Sequence, residues 1–175
     1  MNKQLRNTIN EIVEVIRKEF NIQCPITNFD KLVIDLGGEI RYSNEIQEAA
    51  DATIQKIRDS FIITVSENDS YTRQRFSIAH ELGHLFLHMG YLIDEEMWNK
   101  NQENTYLRKL SGEMEYQAHE FAAALLMPRD IFISVMNKNY DGNKYYDMGK
   151  VAEYFNVSLE AAINRGRWLE KLSWQ

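Results

Sequence analysis

The chain is poor in cysteine, proline and histidine: among its 175 residues it has one, two and four of them. A lone Cys24 leaves no partner for a disulfide within the chain, which fits a reducing compartment. The longest uncharged apolar run, Phe121 to Met127, is far short of the ~20 residues that a membrane-spanning helix needs. Met1 to Arg6 lead into an amphipathic pattern and lack the apolar core of a signal peptide. A cytoplasmic protein is therefore expected. Positive charge is also in short supply. The formal net charge is −6, which argues against direct nucleic-acid binding, because phosphate contacts need clustered Lys and Arg. Internal repeats and low-complexity tracts are absent. Hydrophobic residues, at 44%, suffice for a core, and the length fits one domain or one with a small appendage.

The scarce histidines are not scattered. His80, His84, His88 and His119 all fall within one central stretch. His80-Glu81-Leu82-Gly83-His84 is a His-Glu-x-x-His motif inside a segment that reads as one helix. Residues four apart share a helix face, so both imidazoles can point at one metal ion. Glu81 stands beside them, placed to take a proton from an attacking water. This is the arrangement of zinc hydrolases. His88 lies eight residues beyond His80, about 12 Å along the axis at ~1.5 Å per residue. That is too far to share an ion through bonds of about 2.0–2.1 Å, so His88 is read as a packing or outer-shell residue.

A second helix, closed by Pro128, is expected from Glu113 to Met127. Glu115, Ala118 and Ala122 fall on one stripe of it. Small residues there let two helix axes approach, and the carboxylate at the start of the stripe could then reach a metal held by the first helix. Two histidines, one carboxylate and an open position make a catalytic rather than a structural zinc site. Three residues compete for the third ligand. Glu113 lies on nearly the opposite face from Glu115, and His119, one turn on, is sterically eligible.

The two segments together resemble the ImmA/IrrE family of metallopeptidases. The family pattern R-x-R-F-T-I-A-H-E-L-G-H is met by Arg73 through His84, with Ser77 in the Thr position. The pattern E-x-x-A-N-x-F-A-x-x-L-L-M-P is met by Glu115 through Pro128, except that His119 stands where the family usually has Asn. Val151-Ala152-Glu153-Tyr154-Phe155-Asn156-Val157-Ser158 is similar to the family's L-A-x-x-F-x-V-S. The resemblance implies Zn2+ held by His80, His84 and Glu115, with Glu81 as the catalytic proton carrier. It makes His119 a candidate outer-shell acceptor for a zinc-bound histidine. It also implies a zinc-dependent endopeptidase whose protein substrate is a helix-turn-helix transcriptional repressor. The alternative is a metal-binding regulator that sequesters such a partner without cutting it. The residue that steadies the tetrahedral oxyanion is not evident; Tyr106 and Tyr116 are the candidates.

The expected fold is α+β and mainly helical. It is a minimal zincin-like arrangement with a small β-sheet packed on the active-site helix, plus a C-terminal helix-turn-helix-like subdomain. Residues 1–136 should form the metallopeptidase domain and residues 137–175 the C-terminal helical subdomain. That subdomain either packs permanently on the first or docks a partner. Its shape suggests DNA, but Glu153, Glu160 and Glu170 leave it poorly basic. Leu5, Ile9, Ile12, Val13, Ile16 and Phe20 mark one face of a first helix. Asp30 to Leu36 reads as a short helix stopped by Gly37-Gly38. Strands are expected around Ile40 to Tyr42, at Ser60 to Val65, and also at Ala52 to Ile54. Phe61 to Val65 is the candidate sheet edge for an extended substrate. Glu95 to Ser111 reads as charged loop or weak helix, and Asn137 to Tyr146 as the linker. Arg73 and Arg75 are expected to pair with acidic groups.

Overall fold

Asn2 starts the first helix by accepting a hydrogen bond from the Leu5 amide, and α1 then runs over Lys3–Glu19. Its apolar stripe buries Ile9, Val13 and Ile16. The computed structural model describes residues 2–44, 52–100, 112–143 and 145–173. After α1 come α2 (Phe29–Asp35), β1 (Glu39–Ser43), β2 (Ala52–Ile57) and β3 (Ser60–Ser66). Then follow α3 (Tyr71–Leu87), α4 (Glu95–Lys100), α5 (Gly112–Leu126), α6 (Arg129–Lys138), α7 (Met148–Phe155) and α8 (Leu159–Trp168). The chain is α+β and mainly helical. Among the described residues no helix is long and apolar enough to cross a membrane.

The described strands form one sheet in the order β1-β3-β2, with β1 parallel and β2 antiparallel to β3. The expectation that Phe61 to Val65 forms an edge is thus corrected, since β3 is the central strand. The physical reason is visible in its composition. Phe61, Ile62, Ile63 and Val65 are all buried. A strand covered on both faces reads as a continuous apolar run, whereas a half-exposed one alternates. The edge positions belong to β1 and β2, and β2 lies against α3.

Between α2 and β1 the chain reverses at Gly37, whose φ of +88° lies in the left-handed region. Only a residue without a Cβ takes that conformation at little cost. The reversal lets the Ser60 hydroxyl donate to the Gly37 carbonyl, tying α2 to the start of β3.

Helix α3 is buried along most of its length, with Ile78, Ala79, Leu82, Leu85 and Phe86 all inside. A helix apolar on more than one face needs cover on several sides. The sheet supplies one side and α5 another. At Gly83 the α5 backbone comes close. A Cβ there would lie 3.0 Å from the Ala118 Cα and 3.1 Å from the Phe121 Cβ.

Two buried arginines bind the C-terminal helices to the rest. Arg75, on α3, donates to the carbonyls of Ile26, Phe155 and Asn156. It thereby ends a network of backbone acceptors where an ion pair was expected. Arg165, on α8, donates to the Met127 carbonyl, to Glu120 at 2.9 Å and to Asn10 at 2.8 Å. Buried polar atoms need such partners. Val151, Phe155 and Ala162 share one apolar cluster with α1, α3 and α5. Gly166 explains where α8 stops. Leu172 folds back so closely that a Cβ at Gly166 would meet its Cδ1 at 2.7 Å. Helix α8 ends at Trp168. The expected linker is a closed loop: Tyr140 and Tyr146 form an antiparallel bridge, and the Asp147 amide donates to the Asn139 carbonyl.

Candidate metal centre

Ser70 caps the start of α3 by accepting from the Arg73 amide. The helix then carries His80 and His84 on one face, with their Nε2 atoms 2.9 Å apart. Alongside, α5 brings Glu115 over that face. Its Oε2 is 3.2 Å from His80 Nε2 and its Oε1 is 3.6 Å from His84 Nε2. Donors at the corners of a tetrahedral zinc ion stand about 3.3–3.4 Å apart, given bonds of about 2.0–2.1 Å. Two imidazole nitrogens and a carboxylate at 2.9, 3.2 and 3.6 Å therefore fit a zinc-sized divalent ion in donor type and in spacing.

The histidine rings are held for this geometry. His84 Nδ1 meets His88 Nδ1 at 2.8 Å, and His88 Nε2 meets Gln117 Oε1 at 3.1 Å. An amide oxygen only accepts, so His88 Nε2 carries a proton and donates it. Neutral His88 then accepts at Nδ1, so His84 donates from its own Nδ1. What remains on His84 is a bare lone pair at Nε2, the atom that faces Glu115. Burial, aided by His80, His88 and His119, lowers the His84 pKa to about 3. The ring is thus neutral, as a metal ligand must be. Burial also lowers the His88 pKa, against opposing effects of Gln117 and Glu115. His88 was expected to be a packing or outer-shell residue, and it reaches the outer nitrogen of His84. Gln117, the last member of this hydrogen-bond relay, carries no sequence signal that links it to His88.

Glu81 is buried beside the ligand pair, 8% exposed. Burial first, and the charge of Glu115 second, raise its pKa to about 8. That value belongs to the metal-free chain; a cation held beside Glu81 favours its carboxylate, the form that can take a proton.

The remaining expected residues divide. His119 lies next to the site. Its ring stands edge-on to His80 at 4.6 Å between centroids, and its Nδ1 is 2.9 Å from the Glu115 carbonyl. His80, Glu115 and His119 each offer a donor atom within 4.8 Å of the others. Glu113 belongs to the first turn of α5 and is exposed. Tyr116 is exposed on the same helix. Tyr106 lies outside the described residues.

Comparison with known proteins follows the same lines. The family model Peptidase_M78, described as the IrrE N-terminal-like domain, matches residues 40–166. The chain is 30% identical to Metallopeptidase ImmA of Bacillus subtilis (strain 168) over 102 residues, which are 58% of this chain and 53% of that one. It therefore aligns with about half the length of that relative. A solved structure of a Mycobacterium tuberculosis transcriptional regulator has the same fold at 18% identity. Its TM-score is 0.58, over 92% of this chain and 46% of that one.

Proposed function

The chain belongs to the IrrE N-terminal-like peptidase family, and from that premise we propose that it is a zinc-dependent endopeptidase acting on a helix-turn-helix repressor. In this reading His80, His84 and Glu115 hold the ion and Glu81 carries the proton. The observation that supports it best is the triangle of donors: two Nε2 atoms 2.9 Å apart, facing a carboxylate at 3.2 and 3.6 Å.

A divalent ion at this site supplies Lewis-acid chemistry, acidifying a water and polarising a carbonyl. Glu81 accepts a proton from the attacking water at its carboxylate. It then delivers that proton to the amine that leaves as the C–N bond breaks, so the carboxyl ends as it began. Its burial keeps it from exchanging freely with solvent. His84 stays neutral and correctly oriented through His88 and Gln117. The substrate is a protein segment in extended form. Strand β2 pairs with β3 on one side and lies against α3, so its outer edge is the surface for main-chain hydrogen bonds to substrate.

The test pairs wild type with Glu81→Gln, each incubated with a helix-turn-helix repressor as the candidate substrate. Wild type should hold zinc and convert the repressor to defined fragments. Glu81→Gln should hold zinc and lose turnover by several orders of magnitude. Full cleavage by Glu81→Gln would refute the role of Glu81. A stoichiometric complex without fragments, given by both proteins, would favour the sequestering regulator.

A further inference from the structure

The donor triangle leaves one corner of a tetrahedron, and His119 stands beside two of its members, His80 and Glu115. We propose that His119 Nε2 is a fourth protein donor, closing the metal site while no substrate is bound; this rests on the metal site proposed above. His119 is on α5, one turn beyond Glu115, so the same close packing at Gly83 that delivers the carboxylate delivers this ring. Its donor atom lies within 4.8 Å of those of both His80 and Glu115.

The tautomer is set by the main chain. His119 Nδ1 is 2.9 Å from the Glu115 carbonyl oxygen. A carbonyl only accepts, so Nδ1 carries the proton and donates it. With that proton on Nδ1, the lone pair available to an ion is at Nε2. This is how metal-bound histidines are anchored, with one nitrogen donating to a carbonyl and the other on the ion. The ring is also fixed in orientation, between His80 at 4.6 Å and Phe76 at 5.6 Å between centroids. An outer-shell acceptor for His84 is not required of it, because His88 already fills that place.

The position of His119 gives the closure a use. His119 is exposed, whereas His84 is buried. Of these donors it can swing out with least disturbance to the core. A site closed by three nitrogens and a carboxylate has no corner for water until a side chain yields. Displacement of His119 as a substrate docks would free that corner for the attacking water only when a substrate is present. Cleavage of stray peptides would then be slow at rest.

The experiment uses Co2+ as a spectroscopic probe in the full chain, comparing wild type with His119→Phe, His119→Asn and Glu115→Gln. Phe keeps the ring packing and removes the donor; Asn keeps a polar group that is too short. Circular dichroism and thermal unfolding verify that each variant is folded. Wild type should show the intense visible bands of four-coordinate Co2+. Both His119 variants should bind tenfold or more weakly, with visible bands shifted by the exchange of a nitrogen donor for a water oxygen. Identical affinity and spectrum in wild type and both His119 variants would overturn the fourth donor while leaving the three-donor site standing. If Glu115→Gln also binds Co2+ as wild type does, the underlying site fails with it.

Discussion

His84 and His88 face each other nitrogen to nitrogen, Nδ1 to Nδ1 at 2.8 Å, and the amide oxygen of Gln117 holds the far side of His88. The pair decides which nitrogen of His84 is left bare. Had Gln117 turned its NH2 to His88, the proton order would reverse and His84 Nε2 would carry a hydrogen toward the ion. Replacing Gln117 with Leu removes the acceptor and frees His88. Metal affinity should fall about 10- to 100-fold, as read by competition with a chromophoric chelator. Gln117→Glu, which still accepts, should recover most of the loss. A Leu variant that binds as tightly as wild type would show that the relay does not set the tautomer.

Gly83 sits where α3 packs against α5, and the atoms that a Cβ would meet include the Ala118 main chain. Ala in place of Gly inside a helix ordinarily gains up to about 1 kcal/mol. Here the neighbour cannot rotate away, so overpacking of about 1–3 kcal/mol should win. Gly83→Ala should lower the melting temperature of metal-free protein. By pushing Glu115 from His80 it should also weaken metal binding. Greater stability with unchanged affinity would mean that the close approach is not what positions Glu115.

The helices and strands were largely legible in the sequence because each carries a local signal. Ser70 and Asn2 cap, Gly37 ends a turn, and the apolar period of α1 is explicit. His80, Glu81 and His84 were legible because four-residue spacing is itself a geometric statement. What was hidden is what depends on the third dimension. The apolar run Phe61 to Val65 marks a strand covered on both faces, but it does not name the strands beside it, because β1 and β2 are paired with it only by long-range contacts. Arg75 was expected to pair with carboxylates and instead binds three carbonyls. The Gln117–His88 link joins residues 29 apart in sequence, and no periodicity reports it.

The raised pKa of Glu81 has a sign that can be checked. In the unfolded chain Glu81 should lose its proton near the ordinary carboxylate value of about 4.3; in the folded, metal-free chain it does so near 8. Between those values the folded state holds the extra proton, so stability falls as pH rises through that window. Glu81→Gln removes the effect. Metal-free Glu81→Gln should match wild type near pH 4 and exceed it by a few kcal/mol near pH 8. Denaturant unfolding of both proteins across that range measures the gap. A gap independent of pH would contradict the burial argument. Metal-stripped protein is essential, because a bound cation favours the carboxylate.

Arg165 provides a contrast, since its role lies in the fold. Its partner Glu120 is buried and also accepts from Asn10 at 2.7 Å, with Arg6 Nε 3.2 Å away. Arg165→Met should leave that carboxylate short of one donor and cost about 3 kcal/mol of stability. Metal content and turnover per folded molecule should stay at wild-type levels. A stable variant with lost metal would place Arg165 in the working site instead.

The most direct test of the proposed centre is metal stoichiometry by elemental analysis, measured on wild type, His80→Ala and Glu115→Gln purified side by side. One zinc per chain in wild type, and little in either variant, is the expected result. Equal zinc in wild type and Glu115→Gln would show that the carboxylate from α5 does not complete the site, and the peptidase mechanism built on it would not stand.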